Sequence, residues 1–274
     1  MTSLTVVVEN HSDRPELAAE YGLALWLEHE GAAFLYDAGA GGALLPNLAA
    51  LGLDPARLTA AVFSHGHLDH IGGLPGLLRS RAGAPLDVWL HRAAFASHLA
   101  RRGDALVDIG PPLDQPGFEA LGARFHFVTG LSEPWPGLRI LADIPRRTAF
   151  EGPAPNLVAM IDGRVVDDPF DDDLALIVDT PGGPALITGC AHAGVVNILL
   201  AAERALGRTP AWLIGGTHLG PAPQGQRQAA AAELAARPAL RVASGHCTMD
   251  AAKDLRQSLG QRYVDLISGL RLEF

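Results

Sequence analysis

Four short apolar segments of this chain each lead into a turn of small residues that contains histidine. The turns read SHGHLDH at 64–70, GCAH at 189–192, GGTH at 215–218 and SGHC at 244–247. In α/β folds, binding and catalytic side chains gather beyond the ends of strands, where loops converge on a rigid scaffold. The sequence therefore predicts that neighbouring strands bring these four turns together at one site.

The turn at 64–70 carries the strongest chemical signal. His65 and His67 are two residues apart, so in extended backbone their side chains project to the same side. Asp69 and His70 follow directly. Three imidazoles and one carboxylate so close together suit zinc (Zn), with iron (Fe) or manganese (Mn) as alternatives. We predict one or two divalent metal ions here, rather than a set of solvated surface histidines.

Apolar periodicity predicts an alternation of strands and helices, with a strand before each histidine turn. The strands are expected at 4–9, 23–28, 32–36, 58–63, 88–90, 174–178, 184–188, 211–214 and 241–243, and the helices at 44–51, 92–101, 195–206, 226–236 and 250–259. Residues 103–152, rich in Pro and Gly, are expected to form strands and loops that cover the site and shape substrate choice. Residues 1–274 show no linker, so we expect a single domain.

Composition excludes several classes of protein. A net charge of −9, from 21 basic and 30 acidic side chains, argues against a nucleic-acid binder. Two cysteines cannot build a disulfide framework. The chain start lacks a signal-peptide pattern, and no apolar run reaches the ~18–20 residues of a membrane span. We therefore predict a cytoplasmic protein with a small-molecule substrate and no nucleic-acid or membrane partner, as a monomer or an oligomer.

The segment TAAVFSHGHLDHIGGL at 59–74 resembles the His-x-His-x-Asp-His signature of the metallo-β-lactamase fold superfamily. FLYDAG, LITGCAHAGVVNIL, GGTHLG and GHCT extend the likeness to the branch that resembles 7,8-dihydropterin-6-methyl-4-(β-D-ribofuranosyl)aminobenzene 5′-phosphate synthase. The resemblance implies an α/β fold, an αββα sandwich. In that fold two mixed β-sheets face each other, helices cover the outer faces, and a metal site lies at one edge.

The resemblance also assigns metal ligands in two sets. Those of the first metal are His65, His67 and His192. Those of the second metal are Asp69, His70 and His246. Typical hydrolases of the superfamily place an Asp that bridges both metals where this chain has Cys190. Cys190 is therefore either a bridging thiolate or a small core residue, and the metal count stays open.

Further polar residues lie near these turns. His218 is a candidate ligand or a substrate-contacting acid; otherwise it stabilises its own turn. Asp37 and Asp171–Asp173 could orient ligand imidazoles, because a metal-bound histidine usually donates its other N–H to an acceptor. The alternative for the aspartate run is a solvated surface. His91 and His98, seven residues apart on a predicted helix, are expected to form a solvated or partner-facing stripe.

The predicted function is that of a metal-dependent hydrolase of a small ester or phosphorylated substrate, acting through metal-activated water. Asp69 and His218 are the candidate catalytic groups: Asp69 would accept a proton from the water, and His218 would protonate the leaving group. One alternative, implied by the resemblance, is a transferase that joins a pterin-like substrate to ribofuranosylaminobenzene phosphate with loss of pyrophosphate. Another is a metal-containing binding or sensor protein without turnover, in which Cys190 is redox-sensitive.

Overall fold

The computed structural model describes residues 2–154 and 156–274. Its strands are β1 (Thr2–Val8), β2 (Ala24–His29), β3 (Ala32–Tyr36), β4 (Leu58–Val62), β5 (Leu86–Leu90), β6 (Leu99–Arg102), β7 (Ala105–Asp108), β8 (Ala123–Phe127), β9 (Leu131–Trp135), β10 (Leu138–Leu141), β11 (Leu157–Ile161), β12 (Arg164–Asp167), β13 (Ala175–Val178), β14 (Ala185–Thr188), β15 (Trp212–Gly216), β16 (Arg241–Gly245), β17 (Tyr263–Asp265) and β18 (Arg271–Glu273). The α-helices are α1 (Leu44–Ala50), α2 (Leu68–Ile71), α3 (Leu74–Ser80), α4 (Gln115–Ala120), α5 (Val195–Leu206), α6 (Gln224–Ala235) and α7 (Ala252–Leu259). Short 3-10 helices span Pro55–Arg57, Arg92–Phe95, His246–Ala251 and Gly260–Arg262.

Within the described residues the strands form three sheets, two of seven strands and one of four. The first has the order β18-β1-β2-β3-β4-β5-β8, and the second has the order β17-β16-β15-β14-β13-β10-β9. The pairs from β3 through β8 in the first sheet are parallel, as are those from β14 through β17 in the second. Each large sheet therefore presents the carboxyl ends of its parallel strands at one edge.

The two large sheets pack face to face around a shared apolar core. Leu25 and Val62 of the first sheet belong to the same buried cluster as Ile187 and Ile214 of the second. Apolar side chains of α1, α3 and α4 cover the outer face of the first sheet, and those of α5, α6 and α7 cover the outer face of the second. The architecture is the predicted αββα sandwich.

The four histidine turns follow directly from the carboxyl ends of four parallel strands. β4 leads into the turn at 64–70, and β14, β15 and β16 lead into the other three. The backbone N–H of Leu174 donates to the carbonyl of Ser64 at 2.9 Å, which ties the entry to β13 in the second sheet to the first ligand turn. The sandwich therefore gathers the turns at one edge.

The helix predicted at 92–101 is wrong. A single 3-10 turn follows His91, whose Nδ1 accepts the backbone N–H of Ala93, and the chain then becomes β6. The reason is tertiary pairing, because β6 is hydrogen-bonded to β7 on one side and to β11 on the other. The positive φ of Gly103 forms the tight turn between β6 and β7. His91 and His98 therefore share no helical face, and His98 is buried.

Residues 103–152 do not behave as one cover over the site. β8 extends the first large sheet, and β9 and β10 extend the second. The segments at the site belong instead to the four-stranded sheet of order β12-β11-β6-β7, to which this region contributes β7, with Ile109 after it lining the cavity. The pattern missed this because the pairing of β6 with β11 joins residues far apart in sequence.

No helix in the described part of the chain combines the length and the apolar character that crossing a bilayer would require.

The side chain of Glu20 holds the loop that follows β3, and this role can be tested. Its two carboxylate oxygens accept the backbone N–H groups of Ala40, Gly41, Gly42 and Ala43 at 2.6–3.2 Å. We predict that Glu20→Ala lowers the free energy of unfolding by about 1–3 kcal/mol, because these donors lose a charged acceptor. Denaturant unfolding measures the effect.

The control for that change is Glu16→Ala, which removes an exposed carboxylate paired only with exposed Arg14. This variant is expected to unfold at the wild-type midpoint. Equal midpoints for both variants would contradict the assigned role of Glu20.

Candidate metal centre

The turn after β4 is held by a buried carboxylate from the neighbouring strand. Asp37 follows β3, and its Oδ1 accepts the backbone N–H of Ser64 at 2.7 Å. Its Oδ2 accepts the hydroxyl of Ser64 at 2.7 Å and the Nδ1–H of His70 at 2.6 Å. Asp37, Ser64 and His70 are all fully buried. The parallel pairing of β3 with β4 thus positions the turn and turns the other nitrogen of His70 towards the site.

The three histidines assigned to a first metal lie together as rings. The ring centroids of His65 and His67 are 4.5 Å apart, and each lies 4.8 Å from that of His192. All three are buried. Nε2 of His65 and of His67, and both ring nitrogens of His192, have no hydrogen-bond partner among the described residues. A buried polar nitrogen without a partner destabilises the fold. A metal ion coordinated by these nitrogens would remove this destabilisation, so the residues fit a bound metal.

The residues assigned to a second metal converge even more closely. Nε2 of His70 lies 3.1 Å from Nε2 of His246 and 3.1 Å from Sγ of Cys190. Oδ2 of Asp69 lies 3.3 Å from Nε2 of His246 and 3.8 Å from Nε2 of His70. One ligand atom from each of the four residues lies within 4.8 Å of all the others. Two nitrogens, a sulfur and a carboxylate oxygen form a donor set that zinc accepts.

Cys190 lies between the two sets. Its Sγ belongs to the close group with Asp69, His70 and His246, and also to a close group with His65 and His192. Cys190 is buried and not disulfide-bonded. Burial, followed by the hydrogen bond with the thiol of Cys247, raises the pKa of Cys190 well above its usual value in the metal-free protein. The position matches the bridging alternative that the sequence left open.

The charge states suit metal binding. Burial lowers the pKa of His67 to about 3, and it lowers those of His65 and His192 as well, so all three are neutral at pH 7. Burial works in the same direction on His70, but the charges of Asp37 and Asp69 outweigh it and raise its pKa to about 9. In the metal-free state His70 is therefore an imidazolium that must lose a proton before it can ligate.

The aspartates before β13 divide into different roles. Asp171 is exposed. Asp172 is buried and accepts the backbone N–H of Gly66 at 2.7 Å, and buried Asp173 accepts that of Ala193 at 2.6 Å. The alternative that these aspartates form a solvated surface is therefore wrong for Asp172 and Asp173. They fix the backbone beside the ligands rather than accepting from the imidazoles.

His218 lies beside the first set without joining a close group of ligand atoms. Its ring centroid is 4.3 Å from that of His192, and it lines the cavity above the site. Burial lowers its pKa, so it is neutral at pH 7. Its backbone N–H donates to Sγ of Cys247 at 3.1 Å. The position fits a group that contacts substrate better than a ligand.

Backbone strain concentrates at this edge of the sandwich. Positive φ angles occur at Asp37 (59°), Ala191 (61°), His218 (48°) and His246 (51°), none of which is glycine. Such conformations cost of order 1–3 kcal/mol each and persist where the surrounding structure holds them for a function. Here each strained residue is a candidate site residue or the neighbour of one.

A cavity of about 420 Å³ opens above the ligand atoms. Its floor includes His67, Asp69 and His192. Its walls come from Tyr21, Leu68 and Met249, which are exposed apolar or aromatic side chains, and from Arg101, Arg102 and Asn156 at the four-stranded sheet. A small molecule that enters this cavity therefore reaches the candidate ligand atoms directly.

Sequence reasoning missed two buried residues beside the site, His98 and Asp168. Nδ1 of His98 donates to Oδ2 of Asp168 at 2.9 Å, and one ligand atom of each lies within 4.8 Å of one of His67. The predicted helix placed His98 on a surface. The signal that could have found it is Gly103, whose turn between LARR and ALVD marks a β-hairpin that begins directly after His98.

The sequence profile of the metallo-beta-lactamase superfamily matches residues 18–246, so the chain belongs to that superfamily. It is similar to the 7,8-dihydropterin-6-methyl-4-(beta-D-ribofuranosyl)-aminobenzene-5′-phosphate synthase of Methanocaldococcus jannaschii, with 25% identity over 250 residues and 84% coverage of each chain. The profile match confirms the family, and the similarity to this synthase bears out the resemblance that the motifs indicated.

Solved structures agree with this fold. Tm1679, a metal-dependent hydrolase of the beta-lactamase superfamily, is 25% identical with a TM-score of 0.85, and the match covers 100% of this chain and 99% of that one. Zn²⁺-bound PqqB from Methylobacterium extorquens is 12% identical with a TM-score of 0.57, and the match covers 99% and 100%. The second likeness shows the fold alone.

The raised pKa of His70 gives a pH prediction. Metal binding needs neutral His70, so uptake at pH 7 should release a proton from it, and metal affinity should rise as pH approaches 9. Above pH 9 the His70 contribution to proton release should vanish. Calorimetric titration with Zn²⁺, in buffers that differ in ionisation enthalpy, measures the number of protons released.

Asp37→Asn removes the charge that raises the pKa of His70, so at pH 7 this variant should release fewer protons than wild type. Asp171→Asn, which changes an exposed carboxylate, should match wild type. Proton release that is the same in wild type and Asp37→Asn would contradict the charged state of His70.

Proposed function

We propose that the protein is a metal-dependent hydrolase of a small phosphorylated substrate. The observation that carries the proposal is the set of buried nitrogens of His65, His67 and His192, which lack partners among the described residues and lie under an open cavity. Family membership supports a metal-dependent enzyme. The similarity to Tm1679, a metal-dependent hydrolase, supports hydrolysis.

Two arginines support a phosphorylated substrate. Arg101 and Arg102 of β6 are exposed and line the cavity, in a protein whose net charge is −9. Cationic side chains at the mouth of a site in an acidic protein attract an anion where the rest of the surface repels it. A guanidinium also binds phosphate oxygens in a bidentate manner. We infer that they hold the phosphate group.

The metal ion, Asp69 and His218 have different roles in the proposed hydrolysis. A bound metal ion supplies a Lewis acid and lowers the pKa of a water molecule. Burial works against the charged form of Asp69, but His70 and His246 outweigh it and hold its pKa below the usual range. Asp69 therefore stays a carboxylate and serves as a ligand more readily than as a proton acceptor. Neutral His218, at the cavity wall, can first accept a proton and then donate that proton to the leaving group.

A synthase-like transfer reaction is the second candidate. The observation that favours it is the similarity to the aminobenzene-5′-phosphate synthase, which covers most of both chains. The apolar wall at Tyr21, Leu68 and Met249 offers space for a flat ring, and the arginines offer a site for its phosphate. The same metal ligands would serve both reactions, so the substrate decides between them.

His192→Ala tests the metal centre. We predict that this variant loses hydrolysis of phosphate esters by more than the roughly 10–100-fold that is typical for residues that only support a ligand. It should also bind less metal, measured by elemental analysis after dialysis. The matched control is His126→Ala, a half-exposed histidine that stacks on Trp89 and lies outside every close group of ligand atoms. Hydrolysis of phosphate esters at the wild-type rate by metal-free protein would contradict the proposal.

Arg101→Ala and Arg102→Ala test the substrate class. Each is expected to raise KM for phosphate monoesters and diesters, while KM for a neutral carboxylic ester stays near wild type. Arg124→Ala, an exposed arginine on β8 away from the cavity, is the control. Steady-state kinetics on the three substrate classes measures this. Equal effects on charged and neutral esters would contradict phosphate binding by this pair. Saturable ligand binding without turnover would favour the sensor alternative.

A further inference from the structure

A second polar cluster lies behind the ligand turn, on the side away from the cavity floor. It consists of His98 from the start of β6 and of Asp168 and Asp172 from the segment after β12, and all three are buried. The ring of His98 is perpendicular to that of His67, with centroids 5.2 Å apart. The proposed hydrolysis gives these residues no part, although one of their neighbours is a metal ligand.

The proton of His98 has a defined place. Both oxygens of Asp168 are in use, since Oδ1 accepts the backbone N–H of Phe170 at 2.8 Å and Oδ2 accepts from Nδ1 of His98 at 2.9 Å. A carboxylate can only accept, so Nδ1 of His98 must carry the proton. In the neutral form of His98, Nε2 is then left with a lone pair.

One ring nitrogen of the cluster and one of the neighbouring ligand are buried without hydrogen-bond partners among the described residues. Nε2 of His67 and Nε2 of His98 form no hydrogen bond with any described residue. Oδ2 of Asp172 lies 3.5 Å from Nε2 of His98, but it already accepts the N–H of Gly66. A metal-bound histidine usually donates its remaining N–H to an acceptor. The lone pair of His98, whose ring lies beside that of His67, can serve as this acceptor.

We propose that His98 and Asp168 are positioning residues for the metal ligand His67. Asp168 keeps the proton of His98 on Nδ1, Nε2 of His98 accepts Nε2–H of His67, and Nδ1 of His67 remains for the metal ion. One ligand atom each of His67, His98 and Asp168 lies within 4.8 Å of the others, so the rings are near enough for this bond to form when His67 ligates. The inference rests on the proposed metal centre and adds two residues that act on it.

Gly66 shows that the close approach is built into the fold. A Cβ at this position would press against the carbonyl oxygen of Ala94 and lie 2.9 Å from Nε2 of His98. Glycine between His65 and His67 therefore admits His98 beneath the ligand turn. Asp172 of the same cluster accepts the N–H of Gly66 and so holds the glycine in place.

A separate metal ion bound by His67, His98 and Asp168 is the competing interpretation. It would have to displace the hydrogen bonds that both oxygens of Asp168 and Nδ1 of His98 already make. Two imidazole nitrogens would then be the free donors, fewer than the four that zinc normally takes. The hydrogen-bonded arrangement needs no such displacement.

The experiment measures Zn²⁺ affinity by chelator competition and the visible absorption spectrum of the Co²⁺-loaded protein. Asp168→Asn keeps the shape of the side chain but replaces one hydrogen-bond acceptor with a donor. If its Oδ1 continues to accept from Phe170, its amide N–H faces Nδ1 of His98 and drives the proton to Nε2, where it opposes the N–H of His67. We expect about 10–100-fold weaker Zn²⁺ binding and a shifted Co²⁺ spectrum.

His98→Leu and His98→Gln complete the series. Leucine removes the acceptor, so His98→Leu should weaken binding as much as Asp168→Asn. Glutamine retains a carbonyl oxygen, so His98→Gln should recover most of the affinity and the wild-type spectrum. Asp87→Asn is the matched control, because Asp87 pairs with His126 at 3.1 Å near the surface, away from the site.

Three results would overturn the proposal. One is wild-type affinity and spectrum in folded Asp168→Asn and His98→Leu. Another is the loss of one whole equivalent of metal while the remaining ions bind with wild-type affinity, because that would reveal a separate site. The last is reduced thermal stability with an unchanged Co²⁺ spectrum, which would mark a purely structural pair. None of these readouts needs turnover, so metal binding without hydrolysis would refute only the proposed function.

Discussion

The candidate centre depends on one buried carboxylate, Asp37. It accepts hydrogen bonds from the backbone and side chain of Ser64 and from Nδ1 of His70. Because Asp37 and Ser64 follow adjacent parallel strands, the sheet itself sets the distance between them. The same bonds direct Nε2 of His70 towards Cys190 and His246, which come from the opposite sheet. The packing of the two sheets is therefore what closes the site.

The metal-free site carries an energetic cost that the rest of the fold offsets. Nitrogens of His65, His67 and His192 are buried without partners in the described structure, and the backbone is strained at Ala191 and His246. Each such feature costs of order 1–3 kcal/mol. The three apolar clusters of the sandwich supply the stability that holds these groups in place. A bound cation would recover much of the cost, since folding and metal binding are coupled.

Local patterns predicted much of the fold and of the site, but not all of it. Strand 32–36 and helix 195–206 were predicted to the residue, because an apolar run and a helical periodicity ending at Gly207 are local signals. The histidine motifs, read with the family resemblance, indicated the candidate ligands that the structure brings together. His98 was misplaced because its environment comes from pairing of β6 with β11, which no local pattern contains. The arginines of β6 were missed for the same reason.

Two sets of ligands, with Cys190 between them, are proposed to hold divalent metal in this protein. Crystals of the protein grown with Zn²⁺ and measured at the zinc absorption edge test this proposal most directly. The account predicts anomalous scattering at the ring nitrogens of His65, His67 and His192, and a second peak among Asp69, His70 and His246. Anomalous peaks confined to surface residues, or none at all at saturating Zn²⁺, would contradict it.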